Sequence, residues 1–148
     1  MATLYSDRVV NATTRLTGTV ARSGIGLMEE TATYTLTAAL ALNDVIQMVR
    51  IPQNATIISM TLSADDLDSN GSPAIVLDVG DGSDTDRFID GSTIGQAGGV
   101  EPAINNKAGH LHQYTSEDTI DVLVQVAPAT GATSGTIKLS VIYTLANL

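Results

Sequence analysis

The sequence predicts an all-β protein built as two packed antiparallel sheets, a β-sandwich or jelly roll, with an extended N-terminal arm. Three observations carry that prediction. Apolar residues recur at every second position in several short segments, as in Ile75, Leu77 and Val79 alternating with Val76 and Asp78, the period of a strand with one buried face. Clusters of Gly, Pro, Asn and Asp punctuate the chain at short intervals and mark turns between strands. No long stretch carries a convincing 3.6-residue apolar period, so a helical layer has no source.

Taken in order, residues 1–33 form the arm and residues 34–148 the sandwich domain. The arm is rich in Thr, Ala, Ser and Gly, and Thr13, Thr14, Thr17 and Thr19 favour extended chain over helix. Tyr34, Leu36, Ala38, Leu40 and Leu42 share one side of a first strand, and Asn43–Asp44 turns the chain into Val45–Ile51, whose nearly continuous apolar run suits a strand covered on both faces. Pro52–Ala55 turns again before Thr56–Ser63, where Ile58, Met60 and Leu62 share a face. The stretch from Ala64 to Thr93 is organised as two acidic turns around one buried strand at Pro73–Gly80, with a short strand at Arg87–Ile89. Gly91–Gly99 reads as a long loop, and His110–Tyr114 as another short strand. Thr119–Ala127 and Thr136–Leu145 alternate most clearly, with Ile120, Val122, Val124 and Val126, then Ile137, Leu139, Val141 and Tyr143, facing inward; PATGATSG joins them as a hairpin connection.

At 148 residues the chain fits one domain able to bury a core without covalent staples. It has no cysteine, which removes disulfides, thiolate metal sites and a Cys nucleophile. The N-terminus lacks the apolar run of a secretory signal, and no window approaches the roughly 20 apolar residues that span a bilayer, so a soluble protein made in a cytosol and independent of membranes is expected. The sequons at Asn11 and Asn54 then carry no glycan. Net charge is −9 and unevenly spread. Residues 1–22 hold Arg8, Arg15 and Arg22 against Asp7, a local +2, which leaves −11 for the remainder. An acidic body repels phosphate, and Tyr5, Tyr34, Phe88, Tyr114 and Tyr143 are the only aromatic residues, so nucleic-acid binding is disfavoured and glycan stacking has little support.

Asp66-x-Asp68-x-Asn70-Gly71 matches the first half of a calcium loop, but position twelve is Leu77 rather than Glu and no flanking helices are expected. Asp66, Asp68 and Asn70 are therefore a weak calcium candidate beside their ordinary use as turn formers. Gly80-Asp81-Gly82 with Asp84 and Asp86 places carboxylates on a flexible turn, without a cleft for acid–base work. His110 and His112 would share one strand face, a spacing that metal sites use, though no third ligand lies nearby. No GxSxG, GxxxxGK[ST] or HExxH occurs. No enzyme activity and no cofactor is expected.

The succession from Leu42 to Gly99, with its LDVGDGSDTDRFIDGS turn, and the closing DTIDVLVQVAPATGATSGTIKLSVIYT hairpin resemble the head decoration, or cement, proteins of tailed bacteriophages. The resemblance implies a sandwich or jelly-roll protomer, a homotrimer seated on the outer capsid surface where capsomers meet, with the major capsid protein as partner. On that reading Arg8, Arg15 and Arg22 anchor the arm to the shell, and Gly91, Gly95, Gly98, Gly99, His110 and His112 form the trimer contact. A trimer closes a heterologous interface on itself, and three weak shell contacts in one particle give avidity. An adaptor for a head fibre or tail component, a glycan-binding surface module and a calcium-dependent lectin or enzyme are the alternatives.

Overall fold

A computed structural model describes residues 3–5 and 26–145 of the chain. Among the described residues nine strands run in order: β1 (Thr3–Tyr5), β2 (Leu27–Thr35), β3 (Val45–Ile51), β4 (Ala55–Ala64), β5 (Val76–Asp81), β6 (Asp84–Ser92), β7 (Gly99–Glu101), β8 (Asp118–Val126) and β9 (Thr136–Leu145). One sheet has the order β1-β3-β8-β5-β6 and the other β2-β9-β4-β7. The expected two-sheet, all-β sandwich is therefore the fold.

Its connectivity is a jelly roll. Antiparallel pairs nest from the ends inward, β2 with β9, β3 with β8, β4 with β7 and β5 with β6. The folded ribbon then rolls up through the additional β4–β9 and β5–β8 pairings, so successive strand pairs alternate between the sheets. The short β1 lies outside this scheme and adds in parallel to β3, with Thr3 opposite Val45 and Tyr5 opposite Gln47.

The core lies between the sheets and follows the alternation in the sequence except at two positions. A bulge between Ile57 and Ser59 buries Ile57 and leaves Ile58, expected on the face of Met60 and Leu62, exposed, and Val126, expected inward, is exposed at the end of β8. Ile120, Val122 and Val124 from β8 face Ile137, Leu139 and Val141 from β9, all fully buried, with Ile57, Met60 and Leu62 of β4 and Leu77 and Val79 of β5. Each such side chain contributes roughly 1.5–3 kcal/mol through the apolar surface it withdraws from water.

Three strand assignments are corrected. The strand expected from Tyr34 begins instead at Leu27 and ends at Thr35, so residues 27–33 belong to the four-stranded sheet. Its inward positions are Met28, Glu30, Ala32 and Tyr34, and only Ala32 is fully buried; an edge strand with so little apolar demand shows no clean alternation. Leu36 and Leu40 are buried from an irregular segment instead, turned by Asn43 at φ 64° and tied by the Ala41 N–H donating to Asp44 Oδ2 at 2.9 Å. The second concerns Arg87–Ile89, which is the middle of a strand running from Asp84 to Ser92. The third is His110–Tyr114, which is not a strand. Leu111 takes φ 56° and breaks the extended run, leaving a single bridge between Thr56 and Gln113.

Candidate functional site

Two buried carboxylates organise the loops at the margins of the sandwich. Asp68 is 1% exposed and lies in a run of side-chain-capped turns: the Asp68 N–H donates to Asp66 Oδ1, the Asn70 N–H to Asp68 Oδ1 and the Ser72 N–H to Asn70 Oδ1. Its carboxylate also accepts the N–H groups of Ala74 (2.7 Å), Ile75 (3.3 Å), Ala129 (2.7 Å) and Thr130 (2.8 Å). The side chain thus clamps the loop before β5 to the connection between β8 and β9. Burial pushes the Asp68 carboxyl up, but the N–H groups of Ala74, Thr130, Ala129 and Asn70 outweigh it and hold the group well below the usual carboxylate range. Both oxygens of Asp68 point at backbone donors, so the motif Asp66, Asp68, Asn70 makes a clamp rather than the calcium loop its spacing suggested. Among the described residues no group of three or more His, Asp or Glu is arranged to hold a metal ion.

The second carboxylate, Asp81, ends β5 at 2% exposure. It accepts Arg87 Nε at 2.6 Å, the Ser83 N–H at 3.0 Å, Ser83 Oγ at 2.8 Å, the Asp84 N–H at 3.0 Å and the Tyr114 hydroxyl at 3.1 Å. Arg87 Nη2 adds a bond to Ser83 Oγ at 2.9 Å. Burial raises the Asp81 carboxyl, while Arg87 and Ser83 more than offset it, so the group titrates below its ordinary value. The Tyr114 hydroxyl is pushed strongly up by burial and by the Asp81 charge. This cluster pins the segment between β7 and β8 against β6, where Asn106 Nδ2 also donates to the Asp86 carbonyl at 2.8 Å. Gly109 fits there because any Cβ would lie 2.7 Å from the Arg87 carbonyl oxygen.

His112 stacks edge-on between Tyr114 (4.8 Å between ring centroids) and Phe88 (6.1 Å). Burial and the Arg87 charge push its imidazole down, whereas His110 is exposed. The left-handed Leu111 between them removes the shared strand face expected of this pair. Gly91, Gly98 and Gly99 are exposed, but Gly95 is buried beneath Leu67 and Ile75. Gly91 and Gly98 take φ 73° and 76°, and Gly99 pairs with Ala64 at the start of β7. Arg8, Arg15 and Arg22 lie outside the described residues. The Asp81–Arg87–Tyr114 cluster was not singled out from the sequence; the only signal for it was a Gly-flanked Asp, which an ordinary turn also produces.

Further acids lie on the five-stranded sheet. Asp84, Asp86 and Asp90 follow one another along edge strand β6, and Asp84 and Asp90 raise the Asp86 carboxyl. Asp78 and Asp121 alternate with inward Leu77 and Val79 and with inward Ile120 and Val122, yet both are buried, and Asp78 Oδ1 accepts the Gly91 N–H at 2.8 Å. Burial pushes the Asp121 carboxyl up to about 6, with the Asp118 and Asp81 charges adding to it, and its Oδ1 finds no hydrogen-bond partner among the described residues.

Compared with solved structures, the chain is similar to a chain of the capsid of Ralstonia phage GP4, at 30% identity and TM-score 0.83 over 99% of both chains. It is also similar to a chain of the cyanophage Pam1 capsid asymmetric unit, at 26% identity and TM-score 0.73 over 84% of this chain and 88% of that one. No protein-family model and no curated protein matches the sequence. The chain belongs to the family of the Ralstonia phage GP4 capsid chain, a family of bacteriophage capsid proteins, and its role is structural, within the virion.

Proposed function

We propose that the protein is a decoration protein that binds the outer surface of a phage head as a homotrimer and stabilises the contacts between capsomers of the major capsid protein. The observation that supports this reading best is a complete, self-contained jelly roll, similar from end to end to a chain of a phage capsid. A protomer that closes its own core can be added to a finished shell. Bridging neighbouring capsomers adds contact that must be lost before the shell opens, so no chemical step is required. Arg8, Arg15 and Arg22 supply the positive charge for shell anchoring in a chain that is otherwise acidic. The exposed Gly91, Gly98, Gly99 and His110 stand as the trimer contact, while Gly95 and His112 act from behind, shaping the loops that present it.

The test mixes purified protein with undecorated heads and images the result. Density at threefold positions is expected, and deleting residues 1–22 is expected to abolish occupancy. Heads that remain bare with the intact protein would overturn the reading; full occupancy by the truncated protein would remove the arm from it.

A further inference from the structure

The two outer faces of the sandwich differ in charge. On the four-stranded sheet the inward residues are the apolar core, and the outward positions of β2, β9 and β4 are mostly Ser or Thr, interrupted by Leu27, Ile58, Ile142, Glu29 and Lys138. Thr31, Ser140 and Thr61 form one cross-strand row, and Thr33 and Ser63 flank Lys138 in the next. The only outward charges in these strands are Glu29 and Lys138, of opposite sign, and Glu29 is already engaged, accepting from Ser140 Oγ at 2.9 Å. Exposed Leu27, Ile58 and Val100 lie on or beside the face, and Val100, opposite Ser63, carries it into the glycine loop beside Gly99. The five-stranded sheet, by contrast, carries Asp84, Asp86 and Asp90 along its edge strand, of which Asp90 is exposed and the other two half-buried, whereas Asp78 and Asp121 are buried and add no open charge.

We infer that the Ser/Thr face of the β2-β9-β4-β7 sheet packs against a second copy of this chain. The argument is electrostatic. Residues beyond position 22 carry −11, so a second copy that meets the Asp84, Asp86 and Asp90 edge of the five-stranded sheet brings negative charge against negative charge, which is unfavourable. The Ser/Thr face carries no net charge in its strands and can be approached by another acidic protomer without that penalty. Its hydroxyls both donate and accept, so they can pair across a contact whichever group they meet. Its apolar margin supplies surface to bury, and depletion of charge is what distinguishes the centre of an interface from the rest of a surface. This deepens the proposed function by assigning the protomer–protomer contact to a face, and it rests on that reading only for the number of copies.

The test is size-exclusion chromatography with light scattering on the full chain. Intact protein is expected at a multiple of its 15.3 kDa chain mass. Thr31→Glu/Thr61→Glu places two like charges in the neutral row and is expected to weaken self-association roughly tenfold or more, giving the 15.3 kDa species with an unchanged far-UV circular dichroism spectrum. Gln125→Glu/Thr85→Glu, which adds the same charge to the five-stranded sheet, is expected to leave the oligomer intact. A monomeric intact protein overturns the inference, as does an oligomer that survives Thr31→Glu/Thr61→Glu. Binding to undecorated heads is scored separately. An oligomer that dissociates as expected but ignores heads defeats the decoration reading alone, and head binding by a protein whose oligomer ignores the substitutions defeats the face alone.

Discussion

Replacing Asp81 with Ala removes the acceptor that five donor groups share: Arg87 Nε, the Ser83 N–H and hydroxyl, the Asp84 N–H and the Tyr114 hydroxyl. Arg87 is left at 16% side-chain exposure without its carboxylate. Breaking a buried pair from one side costs about 3–5 kcal/mol. Here the Ser83 and Arg87 groups retain some access to water, which places the expected loss near the lower end, about 3 kcal/mol. For a domain of this size each kcal/mol lowers Tm by about 2–4 °C, so a drop of about 6–12 °C is expected. Thermal and urea unfolding followed by circular dichroism, at one fixed protein concentration, measure it. The double variant Asp81→Ala/Arg87→Met removes both charges and is expected to recover about 1–3 kcal/mol relative to the sum of the single variants. The pH dependence has a definite sign. The Asp81 carboxyl titrates lower in the folded protein, so its contribution is present above the unfolded value near pH 4 and is lost as pH falls through the folded value. The gap between wild type and Asp81→Ala should therefore close in acid. A loss under about 1 kcal/mol, or strictly additive single variants, would refute the view that this cluster is one cooperative fastening.

Asp121 carries the opposite sign. Its folded value near 6 exceeds the ordinary 3.8, so the folded state binds the extra proton and stability falls as pH rises from about 4 to about 6; Asp121→Asn is expected to gain about 1 kcal/mol at pH 7, after discounting for solvent screening, and to flatten that slope in pH-dependent melts. Gly109→Ala puts a methyl within 2.6 Å of Phe88 Cδ1 and 2.7 Å of the Arg87 carbonyl oxygen, a clash with fixed backbone expected to cost about 1–3 kcal/mol by urea unfolding. Phe88→Ala empties the largest fully buried side chain and should cost about 3–5 kcal/mol in the same assay. Since the Asp68 oxygens already accept backbone N–H groups, EDTA or added calcium should leave Tm unmoved, and a rise of several degrees with millimolar calcium would contradict the clamp.

The alternation of Ile120, Val122 and Val124 and of Ile137, Leu139 and Val141 was sufficient to place β8 and β9, because strands central to a half-buried sheet must alternate. The same residues, with the absence of a helical period and of cysteine, determined an all-β sandwich stabilised by packing. Edge strand β2 was not legible, since an edge buries little and Glu29 and Glu30 sit in its midst. Which strands pair was not legible either, because a jelly roll nests partners as distant as Leu27 and Thr144, and local pattern contains no information about such separations. The roles of the acids also depended on tertiary structure. Asp68 and Asp81 looked like the other turn aspartates in the chain, and only the approach of Ala129, Thr130, Arg87 and Tyr114 from remote segments turned them into buried clamps. Outward Ser and Thr on β2, β4 and β9 read singly as ordinary solvent-facing positions. Their assembly into one face of no net charge arose only when three distant strands were laid side by side, since surface charge is a property of neighbours in space rather than in sequence.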